Sequence, residues 1–160
     1  MQKIVLNLWY DTQAEEAAHF YVSLFHNSFL KRITRHGASS AAASSIPEGS
    51  VLSVEFVLDG QEYIAINGGS FFKLTPATSL MVSCDTQEEI NRLWDAFMEK
   101  GQPLNCGWLT DRFGLSWQIV PTELNNMLAD PDPAKVERVY DAMFQMQKLD
   151  LAALEAAYHG

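Results

Sequence analysis

The sequence predicts an α+β fold built from two βαβββ modules, in residues 1–69 and 77–121, with a helical tail in residues 122–160. The first observation is a five-residue motif, Asp-Thr-Gln-X-Glu, that signals a helix start and occurs twice. This pentad begins at Asp11 and again at Asp85, an offset of 74 residues. Self-similarity at a fixed offset indicates a duplicated fold, and a chain of this length forms one ordinary domain in which both copies share a core.

The second and third observations come from the segments that follow each pentad. The same offset pairs Phe20 with Trp94 on the apolar stripe of the two helices. Alternating strand patterns then lead to a hairpin in each half, and the hairpin glycines Gly60 and Gly114 can be aligned. Each half therefore reads as strand, helix and three strands.

The first module begins with a β-rich run over residues 3–9. Thr12 is predicted as an N-cap, with Glu15 completing a capping box. Residues 29–35 form a second predicted strand. Residues 36–50 are rich in Ser, Ala and Gly and are predicted to form a long flexible loop. A hairpin over residues 51–67 closes the module, with Asp59 and Gly60 at its turn.

The second module repeats this order. Residues 79–84 form the predicted first strand, and Thr86 with Glu89 repeats the capping box. A short strand at residues 103–105 precedes the hairpin of residues 106–121. Its turn, from Asp111 to Gly114, has Asp at its start and Gly where a positive φ is easiest. Asp111 is therefore interpreted as a turn residue.

The tail contains two further helix starts. Asp132 and Pro133 suit an N-cap and a first helical position, and Asp150 is predicted to cap a last helix. Apolar residues recur with helical spacing after both starts. These helices need a surface to cover, either the open face of the sheet or a second subunit.

Gln118 is the leading candidate for a binding residue. It lies within an apolar strand, and an inward amide needs hydrogen-bond partners from the protein or from a bound molecule. Trp108 on the preceding strand could supply an aromatic wall beside this polar group. The alternative interpretation places Trp108 in the core and bonds Gln118 to neighbouring backbone.

Two further residues are candidates with simpler alternatives. Asn67 ends a strand and is interpreted either as a turn residue or as a second polar group of a site. Cys106 could be a nucleophile, but no histidine lies near it in sequence, which favours a packed thiol. Cys84 and Cys106, the two cysteines of the chain, are expected to be free in a reducing compartment.

The formal charge of −9 opposes a polyanionic partner, so no nucleic-acid binding is expected. No apolar run approaches the roughly 18 residues of a membrane span. The amino terminus leads directly into a strand pattern without the layout of a signal peptide. These features predict a cytoplasmic protein without a membrane partner.

Several short motifs along the chain can be compared with those of known proteins. They are Trp9-Tyr10-Asp11, Ala14-Glu15-Glu16-Ala17, Phe20-Tyr21, Asp59-Gly60-Gln61, Asn67-Gly68-Gly69, the run from Cys106 to Gly114, Trp117-Gln118-Ile119-Val120-Pro121 and Met146-Gln147-Lys148-Leu149-Asp150. Together they resemble the motifs of the PhnB-like proteins, also labelled demethylubiquinone methyltransferase-like, of the glyoxalase/bleomycin-resistance (vicinal oxygen chelate) superfamily. The resemblance covers nearly the whole chain and implies a cup-shaped mixed sheet, homodimers and a small molecule bound in the cup.

The superfamily's divalent metal sites use His, Glu or Gln from the first and last strands of each module. By the resemblance, these positions fall on Gln118, Ile64, Leu6 or a neighbour, and Ser79 or a neighbour. Because no predicted strand contains a histidine and one amide cannot replace four ligands, we expect neither a tightly bound metal nor another cofactor. The expected site therefore comprises Gln118, Trp108, Ser79, Asn67 and Cys106.

The leading interpretation is a homodimeric protein that binds a small organic molecule, with no assigned reaction. One alternative is a metal-dependent lyase, isomerase or dioxygenase of the same superfamily. Another is a methyltransferase, as the family label suggests. Gly68 and Gly69 lack the strand-turn-helix context and the downstream acidic residue of a Gly-rich cofactor-binding turn.

Overall fold

The computed structural model describes residues 2–160 and forms two compact units, one ending at Leu74 and the other spanning Thr75–Gly160. Each unit contains one four-stranded mixed sheet, and the described residues form six helices. The elements in chain order are β1 (Leu6–Tyr10), α1 (Ala14–Leu24), β2 (Phe29–Arg35), α2 (Ala38–Ser44), β3 (Val51–Leu58), β4 (Gln61–Asn67), β5 (Ser79–Cys84), α3 (Gln87–Met98), β6 (Gln102–Pro103), β7 (Trp108–Thr110), β8 (Ser116–Pro121), α4 (Thr122–Leu128), α5 (Pro133–Phe144) and α6 (Leu151–His159).

The two sheets have the same topology. The strand order is β1-β4-β3-β2 in the first unit and β5-β8-β7-β6 in the second. In both, the first strand lies parallel to the last strand, and the other pairs are antiparallel. The predicted α+β class, the paired βαβββ order and the C-terminal helices are confirmed.

The register of the parallel pairs confirms the alignment of the two halves. Asn7 pairs with Ile64 in the first unit, and Met81 pairs with Gln118 in the second. Met81 follows Asn7 by the same 74 residues that separate the two pentads. The duplication therefore holds for strand pairing as well as for helix starts.

One helix packs on one face of each sheet and buries its apolar stripe. In the first unit α1 buries Ala17 and Tyr21, and on β3 Val54 and Phe56 are fully buried. In the second unit the rings of Phe97 on α3 and Trp117 on β8 lie 4.6 Å apart, and Trp117 is 1% exposed. Alternation along β8 therefore leaves Gln118 on the opposite face of the sheet.

The second helix start forms as predicted. Thr86 is the N-cap of α3, and its hydroxyl accepts a hydrogen bond from the Glu89 N–H at 3.2 Å. The Glu89 carboxylate accepts one from the Asp85 N–H at 3.0 Å. These bonds satisfy backbone donors that a helix start otherwise leaves without partners.

The first helix start forms differently, and the predicted Thr12 cap is wrong. Gln13 is the N-cap residue of α1, and its side chain makes no capping bond. The Ala14 N–H instead donates to the Asn67 Oδ1 at 2.9 Å, while the Asn67 Nδ2 donates to the Val51 carbonyl at 3.0 Å. An amide from the end of β4 therefore satisfies the helix start in place of the local threonine.

Three local expectations need correction. Residues 36–50 contain the helix α2, because successive alanines and serines follow Gly37 and allow a short helix. Cys106 lies in a turn with a φ of 60° and does not belong to the first strand of the predicted hairpin, because β7 begins at Trp108. The short strand before it spans Gln102–Pro103 instead of residues 103–105.

The tail belongs to the second unit and forms a core with it. The Asp132 and Asp150 caps are confirmed, because their side chains accept from Ala134 N–H and Ala153 N–H at 2.9 Å each. The additional helix α4 begins directly after β8. The cluster that these helices bury contains Val120, Leu124, Met127, Val139, Leu149 and Leu154.

Candidate functional site

Gln118 lies on the sheet face of the second unit that does not carry α3. The side chain is partly buried, and its Nε2 donates to the Ser79 Oγ at 2.9 Å. Among the described residues, no protein donor bonds its Oε1. The sequence-predicted pair of Gln118 and Ser79 is therefore in direct contact, with one amide oxygen left over.

Two apolar side chains flank Gln118 on the neighbouring strands. Trp108 is its register partner on β7 and is partly buried, and Met81 is its partner on β5 and is 53% exposed. Residues in register project from the same sheet face, so the amide stands between an indole and a thioether. We name these residues, Ser79, Met81, Trp108 and Gln118, the amide face.

Neutral polar groups continue the amide face along the same strands. Thr110 pairs with Ser116, and their hydroxyl oxygens lie 3.5 Å apart. Ser116 is fully buried. The surroundings of Gln118 thus combine hydroxyls, one amide and apolar surface, which is typical of sites for small organic molecules.

Two of the predicted site residues lie elsewhere. Asn67 is 4% exposed in the first unit, and both ends of its amide bond protein backbone, as described for α1. Cys106 donates its backbone N–H to the Met146 carbonyl at 2.8 Å, and burial raises the pKa of its thiol. A raised pKa disfavours the thiolate, the nucleophilic form of cysteine. Neither residue is brought to the amide face by the strand register.

The turn of the second hairpin holds the strands of the amide face in place. Asp111 is 4% exposed, and its Oδ1 accepts from the Phe113 and Leu115 N–H groups at 2.8 and 3.0 Å. Its Oδ2 accepts from the Trp117 indole N–H at 2.9 Å. Gly114 takes a φ of 91°, so the predicted turn role of Asp111 and the positive φ of Gly114 are confirmed.

The donor set of the amide face does not suit a divalent metal. Ser79 and Gln118 supply a hydroxyl and an amide, whereas catalytic metals are held by imidazole, carboxylate or thiolate. On the corresponding face of the first unit, Ile64 occupies the position of Gln118 and has no ligand atom. Within residues 2–160, no group of three or more His, Cys, Asp or Glu side chains is placed to hold an ion.

The carboxylates of the first unit's corresponding face are paired with basic side chains. Glu62 is bonded by Lys31 at 2.5 Å, and that bond is the largest of the effects that lower the pKa of Glu62. Glu55 accepts from the Arg32 Nε at 2.9 Å. Both pairs are solvated, so they stabilise the sheet edge only slightly.

Gly68 and Gly69 do not open a helix. They follow β4, and the next regular element among the described residues is β5. A Cβ on Gly68 would lie 2.0 Å from the Trp9 ring, so the position requires glycine for close packing. The strand-turn-helix unit that binds nucleotide cofactors in doubly wound parallel sheets is therefore not formed by these glycines.

Sequence reasoning missed an aromatic group in the first unit. The Trp9 indole N–H donates to the Gly69 carbonyl at 2.9 Å, and the rings of Trp9 and Phe72 lie 5.0 Å apart. Phe71 is 83% exposed beside them. The signal available in the sequence was the Phe71-Phe72 pair, which only Ser70 separates from Gly68-Gly69.

None of the helices formed by residues 2–160 has both the length and the apolar character needed to cross a membrane. This finding agrees with the absence of a long apolar run.

Comparison with known proteins supports one family. The family model described as 3-demethylubiquinone-9 3-methyltransferase matches residues 2–120. A solved structure of a PhnB protein from Bacillus cereus, with the same methyltransferase description, is 35% identical and has a TM-score of 0.67. The match covers 75% of this chain and 99% of that chain. No curated protein sequence matches the chain significantly.

More distant structures share the fold. The protein PA1353 from Pseudomonas aeruginosa is 20% identical with a TM-score of 0.60, and the match covers 76% of this chain and 98% of that chain. The fosfomycin resistance protein FosX from Listeria monocytogenes is 10% identical with a TM-score of 0.54, covering 81% and 98%. The chain therefore belongs to the 3-demethylubiquinone-9 3-methyltransferase family, the PhnB-like proteins.

Proposed function

We propose that this protein binds a small, uncharged organic molecule on the amide face of its second unit, without a metal ion at that site. The observation that carries the proposal is the Oε1 of Gln118, which no described protein donor bonds, on a partly buried side chain between Trp108 and Met81. An acceptor on a partly buried side chain is complemented by a ligand that brings a hydrogen-bond donor. The amide oxygen therefore selects a ligand with an O–H or N–H group.

The flanking side chains specify the rest of the ligand. Trp108 offers an aromatic surface, and Met81 offers a flexible thioether that adapts to irregular shapes. Because the amide face carries no charged side chain, an ionised ligand would lose its hydration without a counter-charge. A hydroxylated aromatic compound satisfies all three requirements.

The enzyme alternatives are supported less well by the geometry. A metal-dependent lyase, isomerase or dioxygenase needs ligands that Ser79 and Gln118 do not supply. A methyltransferase needs a binding site for its methyl donor, and Gly68-Gly69 does not form the turn that such enzymes commonly use. The homodimer implied by the family resemblance remains part of the proposal, and sedimentation equilibrium tests it.

Thermal denaturation with matched compounds tests the proposal. Phenol, 3-cresol and 4-cresol should each raise the melting temperature, whereas the corresponding methyl ethers should raise it much less. The ethers have the same rings but no O–H to donate to Gln118. Equal effects of each phenol and its ether, or no effect of either, would contradict the proposed role of the amide.

A metal measurement separates this proposal from the metal-dependent alternative. Protein purified without chelators should contain far less than one equivalent of divalent metal per chain, and added Mn²⁺ or Zn²⁺ should not change the response to phenols. About one tightly bound equivalent, removed together with phenol binding by a chelator, would favour the metal-dependent alternative.

A further inference from the structure

The first unit contains a cleft of about 620 Å³ next to its aromatic group. We call it the aromatic cleft. Its size lies within the roughly 300–1,000 Å³ range of small-molecule sites. The residues that line it are Trp9, Ala43, Ser44, Gly68, Gly69, Ser70 and Phe71.

The wall formed by Trp9 is held in a fixed orientation. Its indole N–H is bonded to the Gly69 carbonyl at 2.9 Å, and Gly68 lies directly against its ring. The Phe72 ring meets it edge-on, with centroids 5.0 Å apart. An aromatic surface that is already ordered loses little conformational entropy when a ligand binds.

The second aromatic wall is exposed to an unusual degree. Phe71 is 83% exposed and Phe72 is 58% exposed, with their rings 4.8 Å apart in an edge-on contact. Exposed apolar groups of this kind often mark binding surfaces. A ligand that covers Phe71 would remove this apolar area from water, which favours binding.

The remaining lining residues supply uncharged polar groups, namely serine hydroxyls and backbone, and no charged side chain. The Ser44 hydroxyl is already committed, since it donates to the Ser40 carbonyl at 2.8 Å and accepts from the Ile46 N–H at 3.3 Å. The cleft therefore combines the aromatic surface of Trp9 and Phe71 with uncharged polar groups and offers no counter-charge to an ionised ligand.

We propose that the aromatic cleft is a second binding site, separate in sequence and composition from the amide face, for a neutral, flat aromatic molecule. Ring contacts with Trp9 and Phe71 hold the ligand. In contrast to the amide face, the cleft does not require an O–H or N–H group on the ligand. This difference allows the two sites to be tested independently.

Nuclear magnetic resonance with 2-methoxynaphthalene tests the site. This probe is neutral and has no hydrogen-bond donor, and 2-naphthoate is a charged compound of similar shape. The Trp9 indole N–H resonance, assigned by its loss in Trp9→Phe, should shift and saturate with 2-methoxynaphthalene. Naphthoate should bind at least about tenfold more weakly, because the cleft supplies no counter-charge and the chain is acidic.

Two phenylalanine variants provide the matched comparison. Phe71→Ala should weaken 2-methoxynaphthalene binding about tenfold through the lost ring contact. Phe144→Ala removes another exposed phenylalanine, 59% exposed on α5, and should leave binding unchanged. The Trp117 indole N–H, bonded to Asp111, shows in each variant that the second unit remains folded.

Three results would overturn the proposal. The first is an unchanged Trp9 resonance at saturating 2-methoxynaphthalene. The second is equal affinity for naphthoate. The third is equal binding by the wild type and Phe71→Ala, or equal weakening by the two phenylalanine variants.

Discussion

Asn67 on the last strand of the first sheet and Gln118 on the last strand of the second are amide side chains that are used in opposite ways. Asn67 ends β4 on the helix face, where both parts of its amide bond the backbone. Gln118 lies within β8 on the other face, and only its nitrogen bonds the protein among the described residues. Both polar atoms of the Asn67 amide are bonded within the protein, whereas the Gln118 Oε1 can still accept a hydrogen bond from a ligand.

The neighbouring positions explain why the two units differ. In the register of the parallel pairs, Pro121 takes the place of Asn67, and Ile64 takes the place of Gln118. Proline has no side-chain acceptor, so Thr86 caps its own helix in the second unit. Asn67 makes the local cap unnecessary in the first unit. The same pentad therefore begins two helices that are stabilised by different residues.

The largest expected effect on stability comes from replacing Asn67. Asn67→Leu should lower the free energy of unfolding by about 2–4 kcal/mol, because the buried Ala14 N–H and the Val51 carbonyl lose their partners. Chemical denaturation measures the change. Asn7→Leu, at an exposed position of the same unit, is the control. A loss below about 0.5 kcal/mol for Asn67→Leu would show that the amide does not secure the helix start.

The next largest difference in stability is expected between substitutions of the two pentad glutamines, Gln87 in the second unit and Gln13 in the first. Gln87 anchors the tail, because its Nε2 donates to the Leu149 carbonyl at 3.1 Å and its Oε1 accepts from the Leu151 N–H at 2.7 Å. Its counterpart Gln13 only accepts from the Thr12 N–H, at 3.4 Å. Gln87→Ala should cost about 1–2 kcal/mol and Gln13→Ala less than about 0.5 kcal/mol by denaturation. Equal costs would mean that the tail is not held through Gln87.

The two threonines of the pentads should show a smaller difference. Thr86→Ala should cost about 1 kcal/mol, the usual value for a lost N-cap. Thr12→Ala should change the free energy of unfolding by less than about 0.5 kcal/mol, because Thr12 makes no cap. Thermal or chemical denaturation distinguishes these values. A larger loss at Thr12 than at Thr86 would reverse the assignment of the caps.

The smallest predicted effect concerns the charged face of the first unit. The bond from Lys31 lowers the pKa of Glu62, so the pair stabilises the folded state above the unfolded pKa of the carboxyl. This contribution is lost as the pH falls through the lowered folded pKa. Carbon-detected titration of Glu62 should show the lowered value in the wild type and a return toward the ordinary value in Lys31→Met. The same Glu62 titration in Lys31→Met and the wild type would show that Lys31 does not lower the pKa of Glu62.

Sequence reasoning predicted the features that depend on local pattern. The duplicated order, the register offset, the Thr86 cap and the Asp111 turn all follow from spacing within a few residues or from a fixed repeat. The Thr12 cap was predicted wrongly because its competitor, Asn67, is distant in the chain and reaches α1 only after β1 and β4 pair.

The candidate site was predicted in part for the same physical reason. The sequence indicated Gln118 as an inward amide in need of a hydrogen-bond partner, but its contact with Ser79 depends on strand pairing. The aromatic cleft depends on the position of α2, which forms inside a segment expected to be a flexible loop. Three-dimensional proximity of this kind leaves no periodic signal in one sequence.

The response of Gln118→Leu to phenol tests the central claim most directly. If the open amide oxygen serves a ligand, this variant should unfold within about 1 kcal/mol of the wild type, unlike Asn67→Leu, and phenol should stabilise it no more than anisole does. A stability loss as large as that of Asn67→Leu, or a preserved preference for phenol over anisole, would contradict the claim.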